Sequence, residues 1–115
     1  MTRLTSAVLA GALMRKAQTE GGFAAVLAKG DATAGSIIVI LSERGANPRI
    51  FERILQGDGR YVWQDNGSRP IDARHETSDV AAFVARRRLF DPDLWVLELD
   101  IPSVERFAAE MNSVG

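Results

Sequence analysis

At 115 residues the chain has the length of one domain, and its 14 basic and 15 acidic residues leave a formal net charge of −1, so no whole-molecule field draws it to nucleic acid or an anionic membrane. Cysteine is absent, which excludes disulfides, thiolate nucleophiles and sulfur-ligated metal centres and fits the cytoplasm. With 46% hydrophobic and 25% charged residues, a single α+β domain over residues 1–115 can bury one core without a metal or disulfide.

The first apolar run, Ala7 to Met14, is too short to span a bilayer. Arg15 and Lys16 follow where an export signal would need small residues for cleavage. The segment is read instead as a helix capped near Thr5 or Ser6 and stopped by Gly21-Gly22. Apolar residues surround most of its wheel, as expected of a central core helix, with a dimer contact the competing explanation.

"FAAVLAKG" and "GSIIVILSE" read as two strands joined by the glycine-rich "KGDATAG" as a hairpin loop. Ile37 to Leu41 is apolar at every position, which predicts a central strand covered on both faces. "GANP" is read as the turn into a third strand, "RIFERILQ", and "GDG" as the turn into a fourth, "RYVWQD". A helix is expected from Asp79 to Phe90, capped by Ser78 and stopped by Asp91-Pro92. "LWVLELD" is a fifth strand, and Pro102-Ser103 opens a last helix with Val104, Phe107, Ala108 and Met111 on one stripe.

The order α-β-β-β-β-α-β-α predicts an α+β fold with a mostly antiparallel five-stranded sheet and helices packed on it. If the first four strands form a meander, the fifth runs antiparallel to the first and the expected order is 5-1-2-3-4. Pairing parallel to the fourth strand is the alternative.

The stretch "RRRLFDPDLWVLELD", residues 86–100, concentrates charge and is the natural place to look for a site. On the second helix Arg87 falls on the stripe of Val80, Phe83 and Val84, with Arg86 and Arg88 on its flanks. A guanidinium turned toward a core requires a partner. Asp91, Asp93 and Glu98 are the nearest carboxylates in sequence, so the expected arrangement is a charged latch, Arg87 on Asp91 or Asp93, that fixes the helix-to-strand turn. Trp95, Leu97 and Leu99 are expected on the opposite side of the strand from Glu98 and Asp100.

Two chemical readings compete with the latch. Arg86, Arg88 and Arg74, with Arg60 and Arg69, are candidates for binding a phosphate ligand or nucleic acid, although no glycine-rich phosphate cradle accompanies them. Asp91, Asp93, Glu98 and Asp100 are candidates for a divalent ion in a hydrolase, against which stands the lack of a lysine where the nuclease pattern wants one, at Asp100. His75, the single histidine, lies near Asp72 and Ser78, a weak arrangement for catalysis because Ser78 serves as a helix cap. Tyr61 and Trp63 share one side of the fourth strand and are a candidate partner surface if that strand is an edge.

The segments "GGFAAVLAKGDATAGSIIVIL" and "RRRLFDPDLWVLELD" resemble an alphaproteobacterial family of short single-domain proteins known as a domain of unknown function, with Phe-Asp-Pro-Asp-Leu-Trp the most specific part. The resemblance implies a bacterial, stand-alone domain and supplies no activity, cofactor or catalytic residue. With no metal-ligand spacing and no cofactor motif, the residues favour a cytoplasmic, non-enzymatic module that binds a protein partner or itself, most simply as a homodimer.

Overall fold

A computed structural model of the chain describes residues 5–65 and 76–114. Its elements follow the expected order: α1 (Ser6–Thr19), β1 (Phe23–Ala28), β2 (Ile37–Glu43), β3 (Ala46–Leu55), β4 (Tyr61–Asp65), α2 (Glu76–Phe90), β5 (Trp95–Asp100) and α3 (Val104–Val114). Thr5 caps α1 by accepting from the Val8 amide, and Gly21, at φ 82°, lets the chain leave the helix. Ser103 caps α3, its hydroxyl accepting from the Arg106 amide at 3.2 Å, while the Glu43 carboxylate takes the Val104 amide at 2.8 Å.

The five strands form one sheet in the order β1-β5-β2-β3-β4. β5 does pair antiparallel with β1, as expected, but it is inserted between β1 and β2 and runs parallel to β2. The rest of the sheet is antiparallel. The expected order 5-1-2-3-4 fails because "KGDATAG" is not a hairpin loop. It bridges over the start of β5: Asp31 donates its amide to the Asp93 carbonyl at 3.0 Å, Trp95 donates its amide to Ser36 at 2.8 Å, and the Trp95 indole donates to the Asp31 carbonyl at 2.7 Å. The bridge must pass close to β5, and a Cβ on Gly30 would lie 2.0 Å from the Asp93 carbonyl oxygen.

The turn between β2 and β3 also differs from expectation. It is made by Arg44 and Gly45, both at positive φ (54° and 78°), the two-residue hairpin geometry that matches strand twist. Ala46 to Pro48 therefore belong to β3. Pro48 is tolerated because the pairing with β2 shifts register there and β4 pairs only from Phe51 onward. α2 begins at Glu76, about one turn before the expected start, so Ser78 lies inside the helix.

The two faces carry two cores. On one, α1 and α3 cover Ile37, Val39, Leu41, Leu97, Leu99 and their neighbours, with Ala10, Leu13, Ala17 and Phe107 buried against them. Small residues on α1 allow close approach to the sheet, as a central core helix requires. On the other face, α2 lays Phe83 over Ile38, Ile40, Ile50 and Val96. β2 is buried on both sides from Ile37 to Ser42, as its sequence predicts.

An ionic cluster joins α1 to α3. Lys16 donates to Glu20 at 2.8 Å and to Glu110, and its ammonium sits 5.1 Å from the Phe107 ring centre. One Glu20 oxygen is buried without a hydrogen bond and has the Arg106 guanidinium at 3.5 Å. The hydrogen bond to Glu110, then that to Glu20, holds the Lys16 ammonium above its usual range, and Lys16 holds the Glu110 carboxyl below the usual carboxylate range.

Two outcomes follow from this packing. Gly30→Ala should cost at least about 2 kcal/mol in chemical unfolding, since backbone must move to admit the methyl. Gly57→Ala, where a Cβ meets nothing within 4 Å, should be nearly neutral. The lowered Glu110 contributes stability above its ordinary range that is lost as pH falls through its folded pKa; the raised Lys16 contributes below its ordinary range and is lost in strong alkali. Melting temperatures recorded from neutral to acid pH should thus fall less steeply for Lys16→Met than for the wild type.

Candidate functional site

The charge of residues 86–100 disperses into separate tasks. Arg87 is half-buried on α2, facing the sheet as its position on the helix predicts. Its partner is Glu52 on β3, bound by both guanidinium arms at 3.2 and 2.7 Å, with the Phe83 ring 5.9 Å away. That pairing, more than the field of Asp91, holds the Arg87 pKa above its usual value. The latch to Asp91 or Asp93 is therefore corrected. Asp91 turns its carboxylate to the Asp93 amide at 3.2 Å, and Asp93 uses its carbonyl to hold the bridging loop. Glu98 is half-buried in β5 between Ile40 and Ala25, and Asp100 accepts from the Arg44 amide.

Trp95, Leu97 and Leu99 do lie on the face away from Glu98 and Asp100, packed under α1 and α3. Among the described residues no group of three or more His, Asp or Glu side chains is gathered as a metal site.

Of the candidate anion-binding arginines, Arg88 donates to the Pro92 carbonyl at 2.9 Å and Arg86 is exposed. Arg74 lies outside the described residues, with Arg69, Asp72 and His75. A cleft of about 340 Å³ opens beside the start of α1, lined by Thr5, Thr33, Ser36, Arg53 and Tyr61 among others. Helix N-termini attract anions through unpaired amides. Here the amides of Ser6, Ala7 and Val8 are already taken by the Thr33 carbonyl (3.2 Å), the Ala32 carbonyl (2.9 Å) and the Thr5 hydroxyl (3.3 Å).

The fourth strand is an edge, and its two aromatics are differently placed. Trp63 is 8% exposed and belongs to the core, and Tyr61 is half-buried with the Arg53 guanidinium 4.0 Å from its ring centre. β4 can turn Trp63 inward because α3 lies over that face. Asn112 of α3 then closes the edge itself, accepting from the Trp63 amide at 2.8 Å and donating to its carbonyl at 3.3 Å.

The opposite edge is β1, and sequence reasoning missed it as a surface. Among the described residues no strand pairs along its outer side, and Phe23, Val26 and Leu27 are exposed there. Leu89 and Phe90, 81% and 88% exposed, end α2 at the same end of the sheet as β1 finishes, since the turn after α2 is held against Gly30 and Asp31. The signal available in sequence was "FAAVLA", a strand without one charged residue.

Because the Arg87 and Glu52 side chains remain 38% and 22% exposed, solvent screens their pairing. A double-mutant cycle of Arg87→Lys and Glu52→Gln in chemical unfolding should give a coupling of about 1 kcal/mol. The same cycle between Arg87 and Asp91 should give a value near zero.

Comparison with known proteins gives a consistent answer. Residues 4–109 match the family model described as a protein of unknown function, DUF1491. No curated protein matches. The crystal structure of a DUF1491 protein from Caulobacter crescentus is 32% identical, with a TM-score of 0.74 over 91% of this chain and 94% of that one. An NMR structure of a DUF1491 protein from the same organism is 31% identical, with a TM-score of 0.73 over 94% of each chain. A solution structure from A. tumefaciens is 29% identical, with a TM-score of 0.72 over 93% of each. A family match over residues 4–109 and solved DUF1491 relatives of the same fold place the chain in the DUF1491 family.

Proposed function

We propose that this protein is a non-enzymatic interaction module of the cytoplasm whose contact surface is the β1 edge together with the end of α2. The observation that carries the reading is the asymmetry of the sheet. One edge is closed by Asn112, while the other presents an uncharged strand with Phe23, Val26 and Leu27 exposed. Soluble domains blunt open edges with charge, proline or covering elements, because an open edge pairs with other chains. An apolar edge left open suits recognition by addition of a strand, where backbone hydrogen bonds give affinity and alternate side chains give selectivity. Leu89 and Phe90 add exposed apolar surface at the end of the sheet where β1 finishes, and neither belongs to the described core.

A photo-crosslinking residue at Val26, installed in the protein in its own bacterium, tests this. It should give discrete protein adducts, another copy of the chain counting as one, whereas the same residue at Gln64 on the closed edge should give none. Silence at Val26 ends the reading.

A further inference from the structure

The geometry points to a second copy of this chain as the partner, its β1 laid antiparallel beside the first across a two-fold axis so that one sheet runs through both copies. This deepens the interaction reading and rests on it. Three observations select this occupant over an unrelated strand.

First, β1 from Phe23 to Ala28 has no charged side chain, so a strand paired with its own copy sets no like charges together. Closed two-fold symmetry is also the commonest way for one surface to complete itself.

Second, Phe23 and Leu27 sit near opposite ends of the strand and on one face, while Val26, paired with Leu97, lies on the other. Phe23 pairs with Asp100 and Ala25 with Glu98 on the α2 side of the sheet, and the register shift sets both Leu27 and Ala28 against Val96, on that same side. An antiparallel two-fold requires facing residues to share a side, which centres the pairing on a residue rather than between two. Centred on Ala25, it sets Phe23 of one copy opposite Leu27 of the other. Phe23 then arrives at the end of β1 where Leu89 and Phe90 close the second helix of the other copy. The exposed groups at one end of the surface are thus met by those at the other. The register shift between Val26 and Ala28 includes Leu27, so the regular backbone pairing spans Phe23 to Val26 and the Phe23–Leu27 contact closes each end of it through side chains.

Third, the area is sufficient. Phe23, Val26, Leu27, Leu89 and Phe90 together expose roughly 600 Å² per copy, on the scale of large apolar side chains. A specific interface takes about 800 Å² per partner, and the strand backbone supplies the difference.

Sedimentation velocity over a concentration series tests the proposal. The wild type should form a dimer. Phe23→Lys and Leu27→Glu should each weaken it at least about tenfold while leaving the monomer's melting temperature unchanged, because both positions are exposed. An equimolar mixture of these two variants should recover heterodimers, since one lysine then faces one glutamate across the axis and one native Phe-Leu contact remains. Phe90→Lys, on a different element, should weaken the dimer as well. A wild type that stays monomeric to millimolar concentration, or a dimer indifferent to these substitutions, overturns the proposal. Val26 adducts with another protein, found alongside a monomeric wild type, would overturn the dimer alone; no adducts of any kind would overturn the interaction reading with it.

Discussion

β5 enters the sheet between β1 and β2, and the carbonyl of Asp93 at its threshold governs how the chain on either side must run. Val96, Leu97 and Leu99 are fully buried, and such side chains each contribute about 1.5–3 kcal/mol when removed from water. That gain requires both neighbours to pair with β5 and both faces to be covered. β1 and β2 must then stand two strand spacings apart, which no tight turn can span. Residues 29–36 make the crossing, and Gly30 does so by lying where no side chain fits, against Asp93. The Trp95 indole fastens the same loop from below.

One consequence of the insertion is the position of β1. A meander would have kept it inside the sheet under the fifth strand; the inserted β5 takes the interior place and leaves β1 at the margin. Its residues are correspondingly less buried than those of β2 or β5, with Phe23 65% exposed. α1 packs against its inner face through Ala24, but α2 reaches only as far as Ala28 on the other. That β1 is a margin of the sheet among the described residues is thus a product of topology, and its lack of charge is a property of the sequence placed there. The β4 edge lies near α3, whose Asn112 has both a donor and an acceptor to offer one residue of backbone.

Local signals were legible in the sequence and long-range pairings were not. The cap at Thr5, the stop at Gly21, the doubly covered run Ile37 to Leu41 and the order of elements all rest on interactions between near neighbours or on periodicity. Strand order does not. "KGDATAG" has the composition of a hairpin loop whether or not another strand passes beneath it, and only the later arrival of β5 decides. Arg87 shows the same limit at a single residue. Helical spacing placed it on the inward face, but its partner is 35 residues away, on a strand whose register with β2 sets Glu52 beside Ile38. Of the carboxylates near in sequence, Asp91 turns to the Asp93 amide in its own turn, and Asp93 enters the fold through its backbone.

The charged stretch 86–100 is distributed over several joints of the fold. Catalytic groups must be held close to one another yet keep a lone pair or proton for substrate. Arg87 is spent on Glu52, Arg88 on the Pro92 carbonyl, Asp91 on the Asp93 amide and Asp100 on the Arg44 amide. These contacts join α2 to β3, the α2 turn to itself, and β5 to the hairpin at Arg44, so the charges act at separate joints. Beside these joints the same region leaves Arg86 exposed and presents two large apolar side chains, Leu89 and Phe90, at the exit of α2. For the proposed interaction surface, apolar side chains of this kind beside an unpaired strand suit recognition by shape and strand addition.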